Sequence, residues 1–287
     1  MNRKIMQPMT FLVVMILSLL LLFHDKTDVE ADKSNGSVQL VAAADDDIYI
    51  EGDCIDAAPV AFAVPPDIET EPPYGLSYDH LISDFSVIWQ MPELPTGCEI
   101  TALAMVLQYF GYEVDKTALA ADYLPVVAYP DFYYGGDGNL YGPDMRDNFV
   151  GDPFSEWGYI CGAPAVLTAA NQYLLEEGGG HVAADLTGAL AQQLYELVAA
   201  DIPVVVWVTI EMSDRYDVQG WYTESGEYME WCTQDHCAVL IGCSQDTVSI
   251  ADPISGITEY DRGRFESVFE SRGRQCVIIE EAPAGTV

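Results

Sequence analysis

Apolar residues recur at Ile100, Leu103, Ala104, Leu107 and Phe110, a helical spacing, and Gly111 stands where a C′ glycine ends such a run. Just ahead of it, Thr96-Gly97-Cys98-Glu99 has the form of a capping box. That form predicts Thr96 as N-cap, Cys98 at N2 and Glu99 at N3. Asp115 reads as the cap of a second helix reaching Leu124. Residues 125–162 read as a long aromatic loop, a packed cover with Trp157 and Tyr159 in the core. Pro164 is placed at N1 of a helix to about Leu175, ended by Gly178-Gly179-Gly180, and Thr187 caps another through Ala199. The period then changes. Residues 204–210 are a β-branched run typical of a central strand. Residues 237–242 and 247–251 predict two strands joined by a turn at Gln245-Asp246. Residues 257–260, a short helix over 262–270 and residues 276–279 complete the pattern. Helices first and antiparallel strands after is an α+β arrangement.

Outside this region the pattern is different. Arg3 and Lys4 precede an uncharged run over residues 5–23, and Val29-Glu30-Ala31 offers small residues at the −3 and −1 positions of a cleavage site. Residues 1–31 therefore read as a signal peptide or an N-terminal membrane anchor. Residues 32–76 carry an acidic run and the pairs Pro65-Pro66 and Pro72-Pro73, and read as a linker; the folded domain is expected over 77–287. The expected location is extracellular or at the cell surface, with the membrane met only through the N-terminal segment.

The net charge of −35 is extreme. Arg3, Lys4 and Lys26 balance Asp25, Asp28 and Glu30, so the excess belongs to the rest of the chain. Such a surface repels phosphate backbones and argues against nucleic acid as a partner. There are seven cysteines, and setting Cys98 aside as a free thiol leaves six. In an oxidising compartment these are compatible with disulfides in any of 15 connectivities, although Cys161 and Cys276 read equally well as buried small apolar residues.

A thiol at a helix N-terminus faces free backbone N–H groups and the positive end of the dipole, which favour thiolate. Cys98 is thus the candidate nucleophile, and the four histidines are the candidates for its base. His24 lies in the export segment, His80 ahead of the domain's helices and His181 in a glycine-rich loop. His236 alone opens a predicted strand. Asp252 ends the neighbouring strand, so a hairpin brings it beside His236. Cys232, Cys237 and Cys243 around His236 hint at zinc, but residues 236 and 237 of one strand point to opposite faces. No cofactor or metal is expected. G-x-S-x-G, H-E-x-x-H and P-loop motifs are missing from the sequence.

The set Gln90-x7-Cys98 within Leu-Pro-Thr-Gly-Cys-Glu, Gly-Tyr-x-Val-Asp-Lys, Gly-Asp-Pro-Phe, Asp-His-x-Ala-Val-x-Ile-Gly and Ala-Asp-Pro resembles the exported C-39-like cysteine peptidases. These are papain-fold relatives of the peptidases that trim double-glycine leaders from bacteriocins. The resemblance spans residues 81–279. It implies a papain-like fold, with a helical part carrying the cysteine and an antiparallel sheet carrying His and Asp. It further implies Cys98 as nucleophile, His236 as base and then acid, Asp252 as orienter of the imidazole, and Gln90 as a side-chain oxyanion donor beside the Cys98 amide. Trp89 stands where this branch often has Asn, and the transporter domains of the bacteriocin enzymes are absent. The implied activity is hydrolysis of a peptide or related amide bond by a monomer. The alternative is a non-catalytic papain-fold module that binds peptide or cell-wall material through the aromatic loop.

Overall fold

The computed structural model describes residues 79–282 apart from Gly179. The expectations for residues 1–31 and 32–76 lie outside these residues, as does Cys54. No helix among the described residues is long and apolar enough to cross a membrane.

Helix α1 (Cys98–Tyr109) is the central helix, and every residue from Cys98 to Leu107 is buried. It is apolar nearly all round, which suits a helix walled in on every side rather than one with a solvent face. Truncating Leu103 or Leu107, both at 0% exposure, to Ala costs about 2–5 kcal/mol. Gly111, at φ 89°, ends the helix as expected, and the Tyr112 N–H returns to the Leu107 carbonyl at 3.1 Å. The start differs from expectation. The N-cap is Gly97, with no side-chain cap, and Cys98 is the first helical residue. The Thr96 hydroxyl donates to the carbonyls of Ser155 (3.0 Å) and Asp152 (3.3 Å), and these contacts hold the side chain against the 152–155 turn. Glu99 turns into the core instead of back to the N-cap.

Helix α2 (Lys116–Asp122) is capped by Asp115, whose carboxylate accepts from Thr117 N (2.9 Å) and Ala118 N (3.0 Å). Helix α3 (Ala163–Glu176) begins one residue before Pro164. Helix α4 (Ala191–Ala199) has Leu190 at its N-cap. Thr187, expected there, lies in the turn after a strand that the sequence did not announce, and its N–H is held by Asp185. Helix α5 is Arg262–Ser271, capped by Asp261.

The main sheet has seven strands, numbered here in chain order with the shorter ones. They are β1 (His80–Leu81), β6 (His181–Asp185), β7 (Val204–Thr209), β10 (Asp235–Cys243), β11 (Thr247–Asp252), β12 (Gly256–Asp261) and β13 (Cys276–Glu281). The order is β12-β11-β10-β7-β13-β6, with β1 on β10, and every pairing is antiparallel. Strand β7 is buried at every position and β10 likewise, which explains the unbroken apolar runs in both. Helix α1 packs on β10 and β7, α3 on β6 and β13, and α5 on β7.

The aromatic loop is not structureless. Strands β2 (Val126–Val127) and β5 (Phe149–Val150) pair in parallel. β3 (Tyr133–Tyr134) and β4 (Leu140–Tyr141) join β8 (Gln219–Tyr222) and β9 (Tyr228–Trp231) in a second, four-stranded sheet. Tyr133, Tyr141, Tyr222 and Tyr228 stand opposite one another across it, with neighbouring ring centroids 5.0–6.2 Å apart. Tyr159 packs on Phe132, Trp221 and Trp231, with ring centroids 4.7–5.9 Å apart. Trp157, expected in the core, is 84% exposed.

The disulfide expectation is overturned among the described residues. Cys98, Cys161, Cys232, Cys237, Cys243 and Cys276 are all free and all buried. Cys276, at 0% exposure in β13, packs as a small apolar side chain, whereas the Cys232 thiol donates to Asp235 Oδ1 at 3.3 Å.

Candidate active site

His236 is the second residue of β10 and Asp252 the last of β11. In the antiparallel register Val239 faces Ala251, so one further step sets Asp252 opposite Ala238, two residues from His236 and on the same face. His236 Nε2 meets Asp252 Oδ2 at 3.0 Å. The other oxygen, Oδ1, accepts the N–H groups of Ile254 (2.7 Å) and Ser255 (3.1 Å), so the carboxylate is held from both sides. The two side chains are 2% and 6% exposed. Burial pushes the Asp252 carboxyl pKa up, but the His236 contact and the two amides outweigh it and hold the pKa below the usual value. This leaves Nδ1 as the imidazole nitrogen that Asp252 does not engage.

Cys98 and His236 line one cavity of about 240 Å3, together with Gln90, Tyr159, Trp231 and Ile254. Aromatic and aliphatic walls with a few polar groups are typical of a ligand pocket. The four residues singled out in the sequence are therefore gathered at one place, where helix α1 begins and strand β10 begins. Gln90 is fixed by its backbone: its N–H donates to the Pro253 carbonyl at 2.9 Å, and its carbonyl accepts from Lys116 Nζ at 2.9 Å. Lys116 Nζ also donates to the Trp89 carbonyl and pairs with Glu93 at 2.8 Å. The Gln90 side chain donates from Nε2 to the Pro95 carbonyl (2.9 Å), and its buried Oε1 has no partner.

The thiol departs from the expectation. Cys98 Sγ lies 3.2 Å from Glu99 Oε2. Burial raises its pKa well above the ordinary value, and the Glu99 charge adds to this. The helix terminus alone favours thiolate, but a buried carboxylate in contact works the other way. Glu99 itself is pushed up by burial, against the pull of the Cys161 N–H, which it accepts at 2.6 Å.

Three charged residues at the site's edge were not singled out in the sequence. Glu99 was hidden inside an apparent capping box, and Lys116 entered only as the last residue of Gly-Tyr-x-Val-Asp-Lys, with no role given to it. Asp235, next to His236, is fully buried between Arg215 (2.9 Å) and Arg272 (3.2 Å), which anchors the start of β10. Asp235 stood in the Asp-His-x-Ala-Val motif, but its burial between arginines 20 and 37 residues away left no local signal. Among the described residues no group of three or more His, Cys, Asp or Glu side chains is arranged to hold a metal ion.

The profile of the Peptidase_C39 like family matches residues 82–277. The uncharacterized protein YvpB of Bacillus subtilis (strain 168) is 32% identical over 191 residues, covering 66% of this chain and 71% of that one. A crystal structure of a C39-like peptidase from Bacillus anthracis superposes with a TM-score of 0.62 at 30% identity, covering 71% of this chain and 98% of that one.

Proposed function

Since the chain belongs to the Peptidase_C39 like family and has its fold, we propose that it is an exported thiol hydrolase that cleaves a peptide or related amide bond. The observation that carries this reading is the buried His236–Asp252 pair, whose imidazole shares a cavity with a cysteine at the start of a helix. His236 Nδ1 takes the proton from Cys98 Sγ, and Asp252 on Nε2 fixes the tautomer and steadies the imidazolium. The thiolate attacks the carbonyl carbon. The oxyanion is met by the Cys98 N–H and by the second Nε2 hydrogen of Gln90, the first being held by Pro95. The protonated His236 then gives its proton to the leaving amine, and water clears the acyl-enzyme with the roles reversed. The charge pattern of residues 1–31 supports export.

The contact of Cys98 with Glu99 favours a second reading, a non-catalytic module that holds peptide or cell-wall material in the same cavity. One experiment separates the two. Wild type and Cys98→Ala are incubated with a library of peptides, cell-wall peptide stems and small amides. Turnover by wild type that vanishes in Cys98→Ala supports the hydrolase. Binding of the same compounds by both proteins without turnover would leave only the binding module.

A further inference from the structure

Glu99 is a buried carboxyl in contact with Cys98 that the proposed mechanism does not use. It is 1% exposed, with Oε2 at 3.2 Å from Cys98 Sγ and Oε1 on the Cys161 N–H at 2.6 Å. The titratable groups facing it come from three places. They are the thiol of Cys98 on α1, that of Cys161 just ahead of α3, and that of Cys237 on β10, which Asp252 of β11 also influences. Each of these thiols is pushed up by burial first and by the Glu99 charge next. The helix terminus offers Cys98 about half a unit of positive charge. A full negative charge at hydrogen-bond distance, with little water between, outweighs it.

We propose that Glu99 is a positioning residue that holds Cys98 as a neutral thiol in a resting orientation, so that the nucleophile is armed only when its side chain turns to His236. The inference rests on the reading of Cys98 as nucleophile. On arming, the S–H bond breaks, the proton passes to His236 Nδ1 and the electron pair stays on Sγ. Glu99 keeps its charge and its bond to the Cys161 amide throughout. The same contact shields an exported thiol from electrophiles and oxidants while no substrate is bound, because the thiolate is the reactive form.

The test is the rate of alkylation of Cys98 by iodoacetamide in the full chain, read by mass spectrometry of the Cys98 peptide across pH. Wild type is expected to inflect above the ordinary thiol value of about 8.5. Glu99→Gln keeps an acceptor for Cys161 but removes the charge, so its inflection falls and its rate near neutral pH rises about tenfold or more. A purely structural Glu99 would not move the inflection. A wild-type inflection below that ordinary value, or a Glu99→Gln rate equal to or below wild type, overturns the proposal. Should Glu99→Gln fail to fold, Glu99→Asp, which withdraws the charge from Sγ by one methylene, carries the same expectation and the same refutation. Alkylation reports ionisation whether or not any amide is cleaved. Absence of turnover would thus sink the hydrolase without deciding this question.

Discussion

His236 and Asp252 meet at 3.0 Å as diagonal neighbours on antiparallel strands, not as a directly opposed pair. Nε2 stays on the carboxylate while His236 lines the cavity that Cys98 also lines. Asp252→Asn keeps an acceptor for the Ile254 and Ser255 amides but can no longer balance an imidazolium. Turnover should fall by about three to four orders of magnitude, with a thermal midpoint within a few degrees of wild type. Midpoint and activity measured on one preparation decide the matter. Unchanged activity per folded molecule would remove Asp252 from the site.

Lys116 touches the backbone of Gln90. Its ammonium holds the Trp89 and Gln90 carbonyls, and without it the Gln90 carbonyl keeps only the Leu94 N–H at 2.9 Å. Gln90→Ala should lower kcat by about 10²–10³ with little change in KM. Lys116→Met should lower kcat less, by disordering the same side chain. If Lys116 works only through Gln90, the double variant is no slower than Gln90→Ala alone. Full additivity in that cycle would contradict the coupling.

Glu99 and Asp252 give stability opposite pH dependences. Burial raises the Glu99 carboxyl above its unfolded value, so its contribution is whole below about pH 4.3 and is lost as pH rises through the folded value. Asp252 is held low, so its contribution is whole above about pH 3.9 and is lost as pH falls through the folded value. Glu99→Gln, a mimic of the neutral acid, should therefore gain thermal midpoint over wild type as pH is raised from about 4 to about 8. Parallel melting curves over that window would mean that Glu99 titrates normally.

Gly158 borders the cavity, and a Cβ there would overlap Thr96 Oγ1 and come within 2.8 Å of Phe149 Cζ. Phe149 is fully buried and cannot yield, so Thr96 must leave its carbonyl partners. Gly158→Ala should cost about 1–3 kcal/mol by overpacking and slow Cys98 by displacing the turn ahead of α1. An unshifted midpoint in chemical denaturation would show that the turn has slack.

The helix around Leu103, the valine run of β7 and the His236–Asp252 hairpin were legible because period and turn residues are local properties. Strand β6 was not legible. His181 to Asp185 is five residues long, shows no alternation, and gains its partner β13 from the far end of the chain. The two-residue strands of the aromatic loop fall below the length at which alternation can be seen. The capping box failed for a different reason. Thr96 and Glu99 have the right spacing, but each side chain found a partner about sixty residues on, at Ser155 and Cys161. The same distance hid Glu99 from the site: its chemistry depends on which core it enters, and sequence spacing does not carry that.

The absence of crosslinks among the described cysteines gives the molecule a set of internal reporters. Six native thiols sit in α1, ahead of α3, after β9, in β10 and in β13, and each is shielded by its own surroundings. A thiol reagent can reach Cys276 only when the interior of the main sheet parts, whereas Cys98, which lines the cavity, waits on its own ionisation beside Glu99. Labelling rates residue by residue would thus read the free energy of opening of each segment in the unmodified chain. The part of the fold that gives way first could then be named without introducing a single probe.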